Sequence, residues 1–347
     1  MAYTTINKPT DYFNTKTYTG TGSNLAITGV GHQPSLTWIK QIGATTSHNL
    51  VDAVRGVSKA LASNETSLQG DYSPNNLKSF DSDGFTLGTG SLVNASSGTY
   101  VSWNWKANGQ GSVNTDGSTD SLYTSASPAS GFSIVTYTGN GANRTIGHGL
   151  GIAPKMIITK QYNGTRSWYV GANSIGWGSE MYLNSTAGSS GSPTTFNSTA
   201  PTNSVFSIGS GSAANSNGET FIAYCFADVQ GFSQIGRQYI GNANTNNGPF
   251  IYTGFKPAWV MLKGEASSRD WMIIDNKRGA FNIFGERLYA NDNHAGDTSG
   301  DYFSFFSNGF QVQENVSIFN SNNESYTYMA FAEAPLVGSN NVPATAR

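Results

Sequence analysis

Tyr137-Thr-Gly-Asn-Gly141, then Pro154-Lys-Met-Ile-Ile-Thr-Lys160, then Trp168 form a phrase that this chain writes three times. The first copy reads Tyr18-Thr-Gly-Thr-Gly22, Pro34-Ser-Leu-Thr-Trp-Ile-Lys40 and His48. The third reads Tyr239-Ile-Gly-Asn-Ala243, Pro257-Ala-Trp-Val-Met-Leu-Lys263 and Trp271. A lysine stands six residues after each proline, and a ring eight residues after each lysine. Repetition at this length marks an array of like modules. It also bears on function, because catalysis usually needs one unrepeated constellation, whereas repeated modules build scaffolds or multivalent surfaces.

The second and fourth positions past each proline are apolar: Leu36 and Trp38, Met156 and Ile158, Trp259 and Met261. Period two in such a run predicts a strand with one buried face. Further on, Asp83-Gly-Phe85, Ser204-Val-Phe206 and Asn308-Gly-Phe310 predict a turn into a strand. Tyr100–Trp105, Phe221–Phe226 and Tyr326–Phe331 close each copy, fifteen, fifteen and sixteen residues beyond those phenylalanines. Each copy therefore spans about 90–100 residues, the size of one small antiparallel sandwich. The best helical candidate, Asn49 to Ala62, contains Gly56 and three valines, which disfavour a helix.

The expected fold is all-β, with three tandem antiparallel β-sandwich repeats of jelly-roll or lectin-like type. They cover 15–107, 131–229 and 230–334, with an N-terminal arm at 1–14, a Gly/Ser/Asn-rich linker at 108–130 and a C-terminal tail at 335–347. Copies two and three abut and should pack closely, while copy one is free to pivot on the linker.

Only 12% of the 347 residues are charged, against roughly 25% in an average soluble protein. The net charge of −2 argues against electrostatic capture of nucleic acid. No apolar run approaches the ~20 residues that cross a bilayer, and the opening MAYTTINKPTDYF reads as no secretory signal. The single cysteine, Cys225, excludes an intrachain disulfide and is expected to be a small buried side chain.

Asp81-Ser-Asp83-Gly84 looks like the front of a calcium loop, but no closing glutamate follows and the other copies keep only turn residues, so a turn is the simpler reading. His32, His48, His148 and His294 have no ligand spacing. No nucleophile elbow is present. Asp270, Asp275 and Glu286 are the acids that a glycosidase pair would draw on, and only Asp275 has a counterpart, Asp52. The reading is therefore non-enzymatic, with no catalytic, metal or cofactor-binding residue assigned. For stacking on sugar rings the candidates are Trp168, Tyr169, Trp177 and Trp271. Trp168 and Trp271 begin repeated strands and should face the core, which leaves Trp177, unique to one copy, as the exposed glycan-binding candidate.

The opening MAYTTINKPTDYFNTKTYTGTG and the blocks GFSIVTYTGNG, IGHGLGIAPKMIITK and GPFIYTGFKPAWVMLK resemble virion proteins of tailed, especially marine, bacteriophages. Such proteins are generally described as tail-fibre-like, and some are likened to concanavalin-type lectin sandwiches. The resemblance spans nearly the whole chain and implies a particle-surface structural protein. On it rest the expectations of a tail fibre or receptor-binding protein that adheres to host-surface glycan, contacts other virion proteins and forms a homotrimer. The alternatives are a capsid decoration or head-fibre protein and, further off, a polysaccharide depolymerase.

Overall fold

Each copy of the phrase opens on a strand that ends in a pinned turn. Tyr18, Tyr137 and Tyr239 stack on their cross-strand partners Tyr100, Phe221 and Tyr326 at 5.1, 5.4 and 5.0 Å. Their hydroxyls donate to the carbonyls of Val93, Ala214 and Phe319. Asn94, Asn215 and Asn320 accept the backbone N–H of Thr21, Asn140 and Asn242 just past each turn. The glycines of the phrase are steric requirements: a Cβ on Gly20, Gly139 or Gly241 would lie 2.0–2.3 Å from the carbonyl oxygen of Ala95, Ser216 or Ser321.

This computed structural model describes residues 3–338 apart from 267, 280, 281, 299 and 301. It is all-β, and every pairing between named strands is antiparallel. Three large sheets each hold one copy of the phrase. In the first the strand order begins Phe13–Thr19, Thr99–Trp105, Leu36–Gln41, Asn49–Asp52. In the second it begins Tyr123–Ser127, Phe132–Thr138, Thr220–Phe226, Met156–Gln161, Trp168–Ala172. In the third it begins Ser233–Ile240, Ser325–Pro335, Phe255–Gly264, Met272–Asp275. A smaller sheet covers one face of each, built on Gly84–Leu87, Val205–Ile208 and Gly309–Val312. Asn49 to Ala62 forms two strands and a turn rather than a helix; among the described residues the α-helices are single turns at Ser91–Asn94 and Ser212–Asn215, and a 3-10 turn spans Pro9–Asp11.

The expectation of one buried face per strand is corrected by the packing. Ile39, Val51 and Tyr100 bury against Phe85 and Leu87, and Ile157, Phe221 and Cys225 against Phe206 and Ile208. The opposite faces of all three large sheets meet in one further core, where Trp38, Trp103 and Trp105 share a cluster with Ile158, Trp168, Tyr224, Trp259, Trp271 and Phe331. Trp105 touches both other sheets, with Phe226 at 6.4 Å and Trp259 at 5.6 Å. The cavity left at this junction is only about 10 Å³ and is lined by apolar side chains and Tyr224. Its wall presents no polar atom that could hold a water.

Polar contacts close the three units into a ring. Trp168 Nε1 donates to the Ala62 carbonyl and Trp271 Nε1 to the Tyr182 carbonyl, both at 2.8 Å. His48, the matching ring of the first unit, reaches the Tyr289 carbonyl through Nε2 at 2.9 Å. Each acceptor lies two residues before an asparagine, Asn64, Asn184 or Asn291, whose Oδ1 takes the N–H of its own unit's ring residue. The second unit thus leans on the first, the third on the second, and the first on the third. The independent pivot expected of the first unit does not fit this arrangement. Its 108–130 linker is also partly structured, because Tyr123–Ser127 adds an edge strand to Phe132–Thr138. The N-terminal arm joins in as well: Ile6 is buried in the central core, and Tyr3 donates its hydroxyl to the Gly254 carbonyl.

Candidate functional site

The repeated lysines are the first residues to place, since three buried amines would be a chemical resource. Lys160 Nζ lies 2.6–3.2 Å from the carbonyls of Gln161, Gly164 and Thr66, the last in the preceding unit. Lys263 Nζ reaches Arg269 O and, across the next seam, Ser185 O. Lys40 Nζ holds Gln41 O and Ala44 O. Burial pushes all three amines down to about 8. Because their donors are spent on backbone carbonyls, they clamp the loop after each strand. Lys160→Met should therefore cost about 2–3 kcal/mol through the carbonyls left unpaired, read as a lowered denaturant midpoint at unchanged m-value.

The acids are committed in the same way. Asp275 Oδ2 accepts from Arg278 Nε at 2.7 Å and from Trp103 Nε1 of the first unit at 3.0 Å. Asp52 Oδ2 accepts from Arg55 Nε at 2.7 Å and from the Tyr224 hydroxyl of the second unit at 2.8 Å. Asp270 accepts from Asn291. Glu286 is half-buried, which raises its pKa while nearby Arg278 opposes the rise. Asp83 accepts the N–H groups of Gly29 and Gly31, which hold its carboxyl below the usual range, and Asp81 accepts from Thr86. These bonds make Asp81-Ser-Asp83-Gly84 a turn. Cys225 is fully buried, and burial pushes its thiol up to about 12.

Trp177 does not lie where a sugar could reach its faces. It is 7% exposed and packs in the second unit's core against Phe196, 5.6 Å away. The cause is Gly171, where a Cβ would meet Phe196 Cε2 at 2.6 Å and Trp177 Cζ3 at 2.9 Å, so the missing side chain admits the indole. Trp168 and Trp271 are fully buried, as expected, and Tyr169 is half-buried against Tyr182.

The most exposed aromatic rings among the described residues lie in the third unit; Tyr72 and Tyr123, in the other two, are less exposed. Phe250 and Tyr252 alternate with buried Ile251 and are 47% and 53% exposed. Tyr252 lines a groove of about 470 Å³ with Tyr3, Gln230, Gln234 and the Asp228–Arg237 ion pair, closed at 2.7 Å. Partial burial, together with the adjacent Tyr252 hydroxyl, pushes the Tyr3 hydroxyl up to about 12, so it stays a donor at any physiological pH. The groove therefore offers an aromatic face, two planar amides, a carboxylate and a guanidinium. Ile251 matches Ile146 and Ile27 in register, so the positions matching Tyr252 hold Gly147 and Thr28 in the other units. Alternation alone did not single out Tyr252, because Phe250-Ile-Tyr252 has the pattern of a core strand; only the open side of its sheet distinguishes it.

Geometry thus defines an all-β ring of three paired-sheet units, the third of which carries the groove beside Tyr252. The chain belongs to the family described as a domain of unknown function, DUF7483, whose model matches residues 8–335. No curated protein matches the chain, and no solved structure does.

Proposed function

We propose that this chain is an adhesive structural protein of a bacteriophage particle, a tail fibre or receptor-binding protein that holds host-surface glycan in the groove beside Tyr252. One observation carries the reading: the groove is polar, open and aromatic in one unit, at a place where the other two units carry Gly147 and Thr28. Pyranose rings present apolar faces that stack on an exposed ring, and the flanking amides and charged pair suit their hydroxyls. Each chain offers this groove once, so affinity on a particle would come from several copies engaging together, as a homotrimeric fibre would arrange.

A glycan array and whole-cell binding with the purified protein test this. The expected result is host-selective binding that Tyr252→Ala weakens roughly ten-fold or more, with the melting temperature unchanged. Binding to tail-less capsids in place of cells would replace the reading with capsid decoration. Release of oligosaccharide from the host envelope would replace it with depolymerisation.

A further inference from the structure

The first unit has an open sheet edge where the second unit has a strand. In the first sheet Phe13–Thr19 lies at the edge, beside Thr99–Trp105. The flanking bonds Gly20 N to Gly98 O at 2.7 Å and Lys106 N to Tyr12 O at 2.9 Å fix the alternation. Even-numbered residues bond across to Thr99–Trp105, so the N–H and C=O of Thr15, Thr17 and Thr19 point away from the sheet. In the second unit the same reading, from Gly139 N to Glu219 O and Ala227 N to Gly131 O, turns the corresponding groups of Phe132, Ile134 and Thr136 outward. There they face Tyr123–Ser127, in the register Ser125 with Ile134 and Tyr123 with Thr136. The third unit closes its edge differently: Ser233–Ile240 carries a bulge, and Asp228 accepts the Ile235 N–H at 2.6 Å.

Grooves of about 310 and 370 Å³ run along the first unit's edge and share Thr17 and Lys277. Thr17 and Thr19 are exposed. Thr15 is 2% exposed, and its Oγ1 is buried without a hydrogen-bond partner on the wall of the first groove. Lys16 and Lys277 line the same path, and neither takes part in a salt bridge among the described residues.

We infer that the groove along Phe13–Thr19 docks an extended, carboxylate-bearing segment of a partner polypeptide as an added antiparallel strand, as Tyr123–Ser127 is seated in the second unit. The internal counterpart specifies the occupant's form: a short strand that opens on a tyrosine and continues in small hydroxyl and alanine side chains, which fits beside a threonine-rich edge. Its charge follows from Lys16 and Lys277 along the first groove, which no acid lines; Glu286 lies on the wall of the second, so the occupant's acid belongs beside the first. Main-chain bonds would supply the affinity and the lysines the preference for acid.

The test uses the full chain, isotope-labelled, titrated with two capped peptides. One copies residues 121–127, Ser-Leu-Tyr-Thr-Ser-Ala-Ser; the other carries an aspartate added at each end. The expected result is saturable change at the amides of Thr15, Thr17 and Thr19, with the acidic peptide tighter. Thr17→Pro removes an outward N–H that the sheet does not use and should weaken both peptides about ten-fold. Lys277→Glu should weaken only the acidic peptide, about three-fold, and should leave the melting temperature unchanged. Absence of any change at these amides at millimolar peptide overturns the inference. So does binding that Thr17→Pro, folded by the same spectra, leaves intact.

Discussion

Asp275→Ala is expected to destabilise the whole ring by about 3–5 kcal/mol, because it strands a guanidinium in the interior. The side chains of Arg278 and Asp275 are both fully buried, joined at 2.7 Å, and the same carboxylate takes the Trp103 indole N–H across the seam. Removing it leaves a buried charge and an unpaired donor. The second unit shows how the site can do without ions. Strand register places Ala172 opposite Met156 as Asp275 is opposite Trp259, and three residues on, Ile175 stands where Arg278 does. The residue matching Trp103 at that seam is Met329, so at this position the contact between the second and third units is apolar on both sides. Asp275→Ala/Arg278→Ile should thus recover about half of the loss, leaving about 1–3 kcal/mol for the orphaned indole N–H. Adding Trp103→Met should remove that remainder, apart from the change in volume. Denaturant unfolding of the three variants checks the series. A double variant no more stable than Asp275→Ala would show that the ion pair is not what the seam depends on.

The tripartite, all-β plan was legible because the repeated residues do local work. The tyrosines stack and cap the turn, the glycines admit a carbonyl, and the lysines clamp the next loop. Closure of the three units was not legible, and the reason lies in the polar residues between the apolar ones. Thr37, Ser102 and Asn104 alternate with Trp38, Trp103 and Trp105, and so read as a solvent face. In the fold they are fully buried and satisfy one another, Thr37 Oγ1 donating to Asn104 Oδ1 at 3.1 Å and Asn104 Nδ2 to Ser102 Oγ at 3.1 Å. Hydroxyls and amides can be buried at little cost when they pair, which charged side chains seldom can. The low charge of the chain is therefore a mark of sheets buried on both faces. Trp177 was misplaced for a related reason: uniqueness to one copy suggested exposure, whereas Gly171 had opened a pocket for the ring. Residues 280 and 281, which open the stretch to Arg287 where the third copy departs from the other two, lie outside the described residues, as does the C-terminal tail beyond Gly338.

Acid should loosen the ring at the seam between its first and third units. His48 is 1% exposed, and its two ring nitrogens have opposite duties: Nδ1 accepts the Trp38 indole N–H at 2.8 Å, while Nε2 donates to the Tyr289 carbonyl at 2.9 Å. A second proton on the ring would have to sit on Nδ1, against the indole donor. Burial, reinforced by the Lys40 ammonium, lowers the pKa of His48 to about 3. The unfolded chain takes up this proton near pH 6.5, so between pH 6.5 and 3 it binds more protons than the fold, and stability falls as pH falls. The full window is worth on the order of 5 kcal/mol for His48. His32, lowered to about 4 by burial, and His148, also lowered, act with the same sign. The other units identify the change that isolates His48. They carry Trp168 and Trp271 at its position, with Ile158 and Met261 in place of Trp38. In Trp38→Ile/His48→Trp the introduced indole can donate to the Tyr289 carbonyl with no titrating group at the seam. Urea unfolding from pH 7 to 4 should give a shallower loss of stability for the double variant than for the parent, with equal m-values. Parallel pH profiles for the two would place the acid sensitivity elsewhere and remove His48 from this role.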